Sequence, residues 1–400
     1  MNVLVIDEDF PHPTNTGKRL RTYNLLSRLQ ASHTIHYVFH GNQVELPGCP
    51  NIRCHPIDKA FTPKRGLRFY AELLGNLVSS KPYIVSRHYS EPMMGKVNDI
   101  LHENEIDLIH CEWTPYTENI RSLLGVYPTI LSTHNVESQI WGRYFENEGN
   151  LLKKAYIYLQ WKKMAAYEKD VAGRYDHVVC VSDNDAEFFS RHAPAGRVSV
   201  VPNGVDEVYF SPRGGKQKQG NLVFTGSMDW RPNQDAVSYF VEEIFPLIRE
   251  RNPEAQFYVV GRYPPEGLKA QWEQTEGVTV TGIVDDVRGY IEDAAVYIVP
   301  LRIGGGSRLK ILEALSMEKV VVSTRVGAEG LALEDHIHLL LRDDPALFAS
   351  CVTDILASGK EYAGIAREGR QQVLETYTWD SISTVLDAAW HKAARSRRGA

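Results

Sequence analysis

Short β-branched runs alternate with helical patterns along the whole chain, and the alternation stops once and starts again. The first series of strand candidates is VLVID (3–7), TIHYVFH (34–40), LIHCEW (108–113), TILSTHNV (129–136) and HVVCVS (177–182). Helical stretches such as 17–30, 93–105 and 150–175 lie between them. Strands that are apolar on both faces and separated by helices imply a parallel sheet covered on each side. A polar, glycine-rich stretch, SPRGGKQKQGN (211–221), then breaks the pattern. A second series follows: NLVFTGSM (221–228), AQFYVVGR (255–262), VTVTGIV (278–284), VYIVPLR (296–302) and VVVSTRV (320–326). The helix expected after Pro232 puts Val237, Phe240, Val241, Ile244 and Ile248 on one face, with Asp229 or the residues just after it as cap. Two Rossmann-like α/β domains in tandem satisfy this order.

Length agrees, because 400 residues exceed a usual single domain. At 43% hydrophobic and 24% charged residues, the chain can build two sizeable cores. A formal charge of −6 argues against nucleic acid as a partner held by bulk charge. The five cysteines (Cys49, Cys54, Cys111, Cys180, Cys351) are scattered, without C-x-x-C spacing, which points to a reducing compartment and to no zinc or disulfide framework. Asp7, Glu8 and Asp9 interrupt the first apolar run, and no stretch reaches about 18 apolar residues. The expectation is a cytoplasmic protein with a frayed basic tail from Lys392 to Arg398.

Open parallel sheets bind ligands at the carboxyl ends of their strands, so two such domains should bind in a cleft where those ends face each other. Four strand ends carry chemistry. After 296–302 come Gly304, Gly305, Gly306 and Ser307, then Arg308, Lys310 and Glu313 on a helix. Bare amides and a positive helix end suit a diphosphate, and a carboxylate one turn and a half inside suits a ribose diol. The plain alternative is a glycine loop before an ordinary surface helix. After 221–228, Gly226 and Ser227 lead to Arg231, a phosphate-neutralising cation or a surface partner of Asp229 or Asp235. After the first strand, Thr16 or Asn15 can cap a helix whose Gly17 admits a phosphate. After 129–133, His134 and Glu137 suit sugar hydroxyls or proton transfer, although a lone histidine is commonly structural.

Other patterns carry little. Asp7-Glu8-Asp9 matches a D-x-D metal motif no better than Asp183-Asn184-Asp185 does, Ser307 lacks the second glycine of a nucleophile elbow, and no H-E-x-x-H or Cys/His cluster offers metal ligands. The stretch 151–174 has six cations against two acids, interleaved with Tyr156, Tyr158, Trp161 and Tyr167. The more ordinary reading is a long helix with a solvated basic face; the other is a helix lying peripherally on the inner face of an anionic membrane.

The pieces VSVVPNGVDEVYFSP (198–212), FTGSM (224–228), GIVDDVRGYIEDAAVYIVP (282–300), GGGSRLKILEAL (304–315), VVVSTRVGAEGL (320–331) and YTWDSI (377–382) stand in an order that resembles the group 1 (family 4-like) glycosyltransferases. The GGGSRLKILEAL wording is closest to a subgroup tied to bacterial exopolysaccharide and cell-envelope assembly. The resemblance implies the GT-B fold. Its domains would be 1–205 on the acceptor side, a linker at 206–220, a nucleotide-sugar domain at 221–376, and a helix at 377–400 crossing back to the first domain. It implies a nucleotide-sugar donor as substrate, no cofactor and no metal, and a sugar, glycolipid or small-molecule acceptor. Retention of anomeric configuration is implied too. Glu313 then matches the ribose-binding acid of an E-x(7)-E motif, Gly304 to Ser307 the diphosphate loop, Gly17 a glycine near the phosphates, and His134 a histidine near the donor sugar.

The chain departs from the family at two places. Gly305 stands where the first acid of E-x(7)-E belongs, and Ser227 and Pro232-Asn233 stand where the family carries its basic pair. Arg231, Arg308 and Lys310 are the candidates to replace that charge. Two other readings use the same donor site: a nucleotide-sugar epimerase, for which Glu137 is the one obvious extra carboxylate, and a catalytically dead donor-binding protein.

Overall fold

A computed structural model describes residues 1–58, 65–215, 217–303 and 308–397. The chain divides into two compact units, Met1–Pro202 with Ile382–Ala400, and Asn203–Ser381. The joint thus falls just before the stretch 206–220, whose last residues already belong to a strand that opens at Lys218.

The first unit is built on seven parallel strands: β1 (Asn2–Asp9), β2 (Thr34–His40), β3 (Ile52–Ile57), β4 (Leu108–Cys111), β5 (Thr129–Thr133), β6 (His177–Cys180) and β7 (Val198–Val200). Their order is β3-β2-β1-β4-β5-β6-β7, so the direction of winding reverses between β1 and β4. The central strands are apolar on both faces, as Val3, Leu4, Val5 and Ile6 of β1 are fully buried, because helices cover both sides. Thr16 caps the helix Gly17–Leu29 by accepting from the Arg19 amide at 3.3 Å. Strand β3 (IRCHPI) was not expected, since Arg53 and Pro56 break its apolar pattern; it survives as an edge strand, where proline is tolerated.

The last helix, Trp379–Arg395, belongs from Ile382 on to this first unit. Trp390 donates its indole N–H to His110 Nδ1 at 2.9 Å, and His33 Nε2 meets Asp387 Oδ1 at 2.6 Å. Over the described residues, to Arg397, the expected fraying from Lys392 does not occur. Ala393 and Ala394 continue the buried face of the helix, and Arg397 Nε donates to both oxygens of Asp176 at 3.0 Å. Arg21, 1% exposed, donates to the carbonyls of Pro202 and Val201 at 2.5 and 2.7 Å and fixes the chain as it leaves this unit. Arg21→Met strands those carbonyls and removes a buried cation near Glu112, so chemical denaturation should show a loss of about 3 kcal/mol or more.

The second unit carries β8 (Lys218–Thr225), β9 (Gln256–Val260), β10 (Val278–Gly282), β11 (Ala294–Val299), β12 (Val321–Ser323) and β13 (Leu340–Leu341), all parallel, in the order β10-β9-β8-β11-β12-β13. Here the winding reverses between β8 and β11. The helix after Pro232 is not continuous: α-helix Arg231–Tyr239 passes through a π-turn at Phe240–Ile244 into α-helix Phe245–Arg251. Pro246 has no N–H to give, so the ladder widens ahead of it. The face Val237, Phe240, Val241, Ile244, Ile248 is nonetheless wholly buried. Trp230 occupies the N-cap without a side-chain bond; Asp229 instead accepts from the Ser227 hydroxyl at 2.6 Å.

Candidate functional site

In each unit the reactive side chains collect where the strand order reverses, at the carboxyl ends of the two central strands. In the second unit these are β8 and β11. Gly304, Gly305, Gly306 and Ser307, which follow β11, lie outside the described residues. Arg308 comes next, in the left-handed region at φ 51° and 8% exposed. Its guanidinium sits 3.3 Å from a Glu329 carboxylate oxygen and donates to the Glu329 carbonyl at 3.4 Å. The three charged residues here are therefore not those of an ordinary surface helix. Arg308 is buried, and Lys310 and Glu313 are half-buried.

Lys310 reaches back from the helix Leu309–Ser316 to the end of β8. Its Nζ donates to Asn233 Oδ1 at 2.7 Å and lies 3.9 Å from the centre of the Phe224 ring. Asn233 in turn donates to the Ser227 carbonyl at 2.8 Å, so one amide ties the loop after β8 to the lysine. Gly226 makes this possible: a Cβ there would stand 2.7 Å from Asn233 Nδ2 and 3.0 Å from Lys310 Nζ. Desolvation pulls the Lys310 ammonium down to about 7, against the attraction of Glu313 and with a push from Arg308. Glu313, one turn on, is lifted to about 7 by desolvation, which Lys310 opposes. A lysine desolvated in this way regains its full charge when an anion binds beside it.

Arg231 opens the helix Arg231–Tyr239 and is exposed. The surface partners considered for it are engaged elsewhere, Asp229 by Ser227 and Asp235 by Arg302 at 2.8 Å. Ser227 holds a cation that was not foreseen: Arg262, at the end of β9, donates from Nε to its hydroxyl at 3.0 Å. The segment VVGR (259–262) has the same strand, glycine, polar form as the loops that were singled out, and that signal could have found Arg262.

In the first unit the reversal lies between β1 and β4. Gly17 is the exposed first residue of its helix. Its neighbour Lys18 places Nζ 2.6 Å from Asp7 Oδ1 and 3.3 Å from Glu8 Oε2. Asp7 also accepts from the Tyr37 hydroxyl at 2.7 Å, and Asp9 pairs with Arg19 at 2.5 Å, so the two acids of the D-x-D match hold different cations. Burial lifts Asp7 to about 6 in spite of Lys18. His134 Nε2 lies 3.0 Å from the Glu112 carbonyl oxygen, which only an N–H can face, so Nδ1 is left as an acceptor. Desolvation holds His134 down at about 4, against the pull of Glu112; Lys18 and Arg21 push the same way as burial. His134 is thus a neutral hydrogen-bonding group at neutral pH.

Sequence reading missed Glu112, which is 3% exposed and kept near 2, with His110 Nε2 2.7 Å away; hydrogen bonding and charge from the histidines outweigh its burial. Glu137, raised by burial, accepts from the Trp113 indole at 2.8 Å. With Asp7, Glu8 and Glu112 at the same strand ends, Glu137 is not the one extra carboxylate. The helix Leu151–Ala172 buries Gln160, Met164, Tyr167, Glu168, Val171 and Ala172, and its large exposed apolar residues are Leu151, Leu152 and Tyr158, in its first half. One His–Asp–His group, His33, Asp387 and His391, was invisible to motif spacing because 354 residues separate its first two members. It lies at the amino end of β2, where each member already has a hydrogen-bond partner.

Two doubly wound parallel sheets in tandem, matched over nearly their whole length by solved glycosyltransferases, give the chain the GT-B fold. Solved structures agree: sucrose-phosphate synthase from Thermosynechococcus elongatus matches over 98% of both chains at 16% identity and a TM-score of 0.69. Anabaena Alr3699/HepE in complex with UDP-glucose matches over 97% of this chain and 98% of that one, at 14% identity and a TM-score of 0.64. Residues 17–208 match the model of Glycosyltransferase Family 4, and residues 219–358 that of the Glycosyl transferases group 1. The chain belongs to the group 1 glycosyltransferases. A Klebsiella pneumoniae relative, an uncharacterized 44.6 kDa protein in the cps region, is 22% identical over 87% of this chain and 89% of its own.

Proposed function

We propose that this glycosyltransferase moves a sugar from a nucleotide-diphosphate sugar to an acceptor hydroxyl, without a metal and with retention of configuration. One observation carries the reading: Lys310, discharged by burial to about 7, stands at Gly226 and Asn233 with Glu313 one turn behind it. An anion that fits there needs one more positive neighbour, which is the requirement of a leaving diphosphate. Lys310 neutralises that charge, Arg231 and Arg308 supplement it, and Gly226 and Ser227 leave the loop after β8 open to it. Glu313 takes the ribose hydroxyls. Gly304 to Ser307 serve the diphosphate. In the first unit, taken by itself, Gly17 and neutral His134 are the groups suited to phosphate and sugar hydroxyls.

The UDP-glucose bound by the Anabaena protein supports a nucleotide-sugar donor, and the relative in the cps region supports a role in polysaccharide biosynthesis. The acceptor is a sugar, a glycolipid or a small molecule, and contact with a membrane surface is part of the same reading. Release of nucleoside diphosphate from UDP, GDP, ADP or dTDP sugars, followed with and without candidate acceptors, tests it. Acceptor-dependent release that persists in EDTA is the expected result. An isomerised nucleotide sugar formed from donor alone would replace the transferase with an epimerase, and binding without release under every acceptor would leave a donor-binding protein.

A further inference from the structure

The first unit carries an apolar stripe that its own core does not use. The helix Leu67–Leu77 buries only Asn76, while Leu67 is 91% exposed, Tyr70 60%, Leu74 66%, Leu77 42% and the following Val78 93%. These positions recur at three and four residues, so they form one line along the outer side of the helix. Single exposed apolar residues are ordinary, but five in line on one short helix are not.

The inner side is held firmly, so the stripe is not a fraying segment. Gln160 of the helix Leu151–Ala172 donates to Asn76 Oδ1 at 2.8 Å, and Lys163 Nζ donates to the Asn76 carbonyl at 2.7 Å, satisfying the last turn. Phe69 packs edge-on against Tyr83 with centroids 6.2 Å apart. The flanks are basic. Arg65 and Arg68 are exposed at one end, Arg68 lying 3.6 Å from Glu72, the single acid of this helix; at the other end Lys81 pairs with the buried Glu118. The neighbouring helix adds Lys162, stacked 4.7 Å over Trp161, and Leu151 and Leu152 exposed at its start. In a chain of net charge −6, this local excess of cations selects an anionic surface.

We infer that residues 65–81 dock the protein on an anionic lipid bilayer, with Leu67, Tyr70, Leu74, Leu77 and Val78 entering the headgroup boundary and Arg65, Arg68 and Lys162 meeting lipid phosphates. An apolar line rimmed by exposed cations is the pattern of an interfacial helix. The contact expected along 151–174 thus shifts mainly to its neighbour, which that helix supports from beneath. The inference rests on the membrane contact of the proposed function and names its surface; it does not depend on the donor site.

Co-sedimentation with phosphatidylcholine vesicles, with and without about 30% phosphatidylglycerol, tests it on the full chain, since anionic lipid adds attraction for each nearby lysine or arginine. Wild type should pellet with the anionic vesicles, less at high salt. Leu74→Glu with Val78→Glu should lower binding at least about tenfold, as burying two charged groups in place of two apolar ones opposes insertion. Val126→Glu, at an exposed apolar position on a different loop, should bind like wild type. Circular dichroism and nucleotide-sugar affinity of the double variant should stay unchanged, which separates a lost dock from a lost donor site. The inference is overturned if wild type ignores both vesicles, if the double variant pellets like wild type, or if light scattering shows a dimer that the same variant dissolves.

Discussion

Lys310→Ala should lower kcat/KM by about a hundredfold while leaving the fold intact. The removed ammonium is half-buried, hydrogen-bonded to Asn233 at 2.7 Å and without an anion of its own beyond Glu313, so its charge is available to a leaving diphosphate. Losing one such preorganised group costs roughly 3 kcal/mol in the transition state. Arg231→Ala should cost less, but at least about tenfold, because Arg231 is exposed and its field is screened. Steady-state kinetics on both variants checks the ranking.

The same lysine sets a pH dependence. With Lys310 at about 7 in the empty site, a bound anion raises that value, and binding takes up a proton. Affinity is then full below pH 7 and falls as pH rises through and above 7, by up to about tenfold per unit. Glu313, lifted to about 7, works the other way, since its carboxylate form accepts hydroxyl hydrogen bonds better. Glu313→Gln removes that opposition. It also takes an attractive charge away from Lys310, so the fall in affinity should begin at a lower pH. Calorimetry with an intact nucleotide sugar, whose diphosphate does not itself titrate near neutrality, reads this directly.

Two glycines that look alike should respond in different ways to alanine. In Gly226→Ala the new Cβ meets the tips of Asn233 and Lys310, at 2.7 and 3.0 Å, and flexible tips can move. At φ 158° any side chain is strained, so the variant should lose about 1 kcal/mol of stability, less than the second variant. It should nonetheless bind a nucleotide sugar at least about tenfold more weakly, because Lys310 is displaced by the methyl group. In Gly261→Ala the Cβ falls 1.7 Å from the Gly226 carbonyl oxygen, and both backbones are pinned. The Gly226 amide donates to Val260 at 3.0 Å and the Met228 amide to Arg262 at 2.8 Å. Nothing there can yield cheaply, so thermal unfolding should show a loss of roughly 3 kcal/mol or more, some 6–12 °C in Tm for a unit of this size. Binding loss with equal stability loss in both variants would mean that Gly226 serves packing and not the ligand.

Much of the fold was legible because buried parallel strands leave unbroken β-branched runs: the stretch 34–40 is β2 residue for residue. The losses have local causes. β13 is two residues long, too short for any periodicity, and β3 hides behind Arg53 and Pro56. The helix after Pro232 looked continuous because its apolar spacing is, whereas its hydrogen bonds answer to Pro246. The candidate site was legible only in part, for a related reason. Glycines, a histidine and a basic helix start are visible at strand ends. The pairing of Lys310 with Asn233 spans 77 residues, and that of Arg262 with Ser227 spans 35, so neither leaves a trace in local spacing. Arg308 likewise has a partner that local spacing does not show: Glu329, 21 residues on, lies 3.3 Å from its guanidinium.

The central claim is that the end of β8 and the helix Leu309–Ser316 hold a nucleotide-sugar donor through Lys310. Thermal shift against UDP, GDP, ADP and dTDP sugars, run in parallel on wild type and Lys310→Ala, tests it most directly, because a ligand stabilises the state that binds it. At a ligand concentration about a hundred times the Kd, the wild type should gain about 2.7 kcal/mol of stability with at least one sugar nucleotide, and Lys310→Ala should gain little at the same concentration. No shift with any nucleotide sugar, or equal shifts in the two proteins, would contradict it.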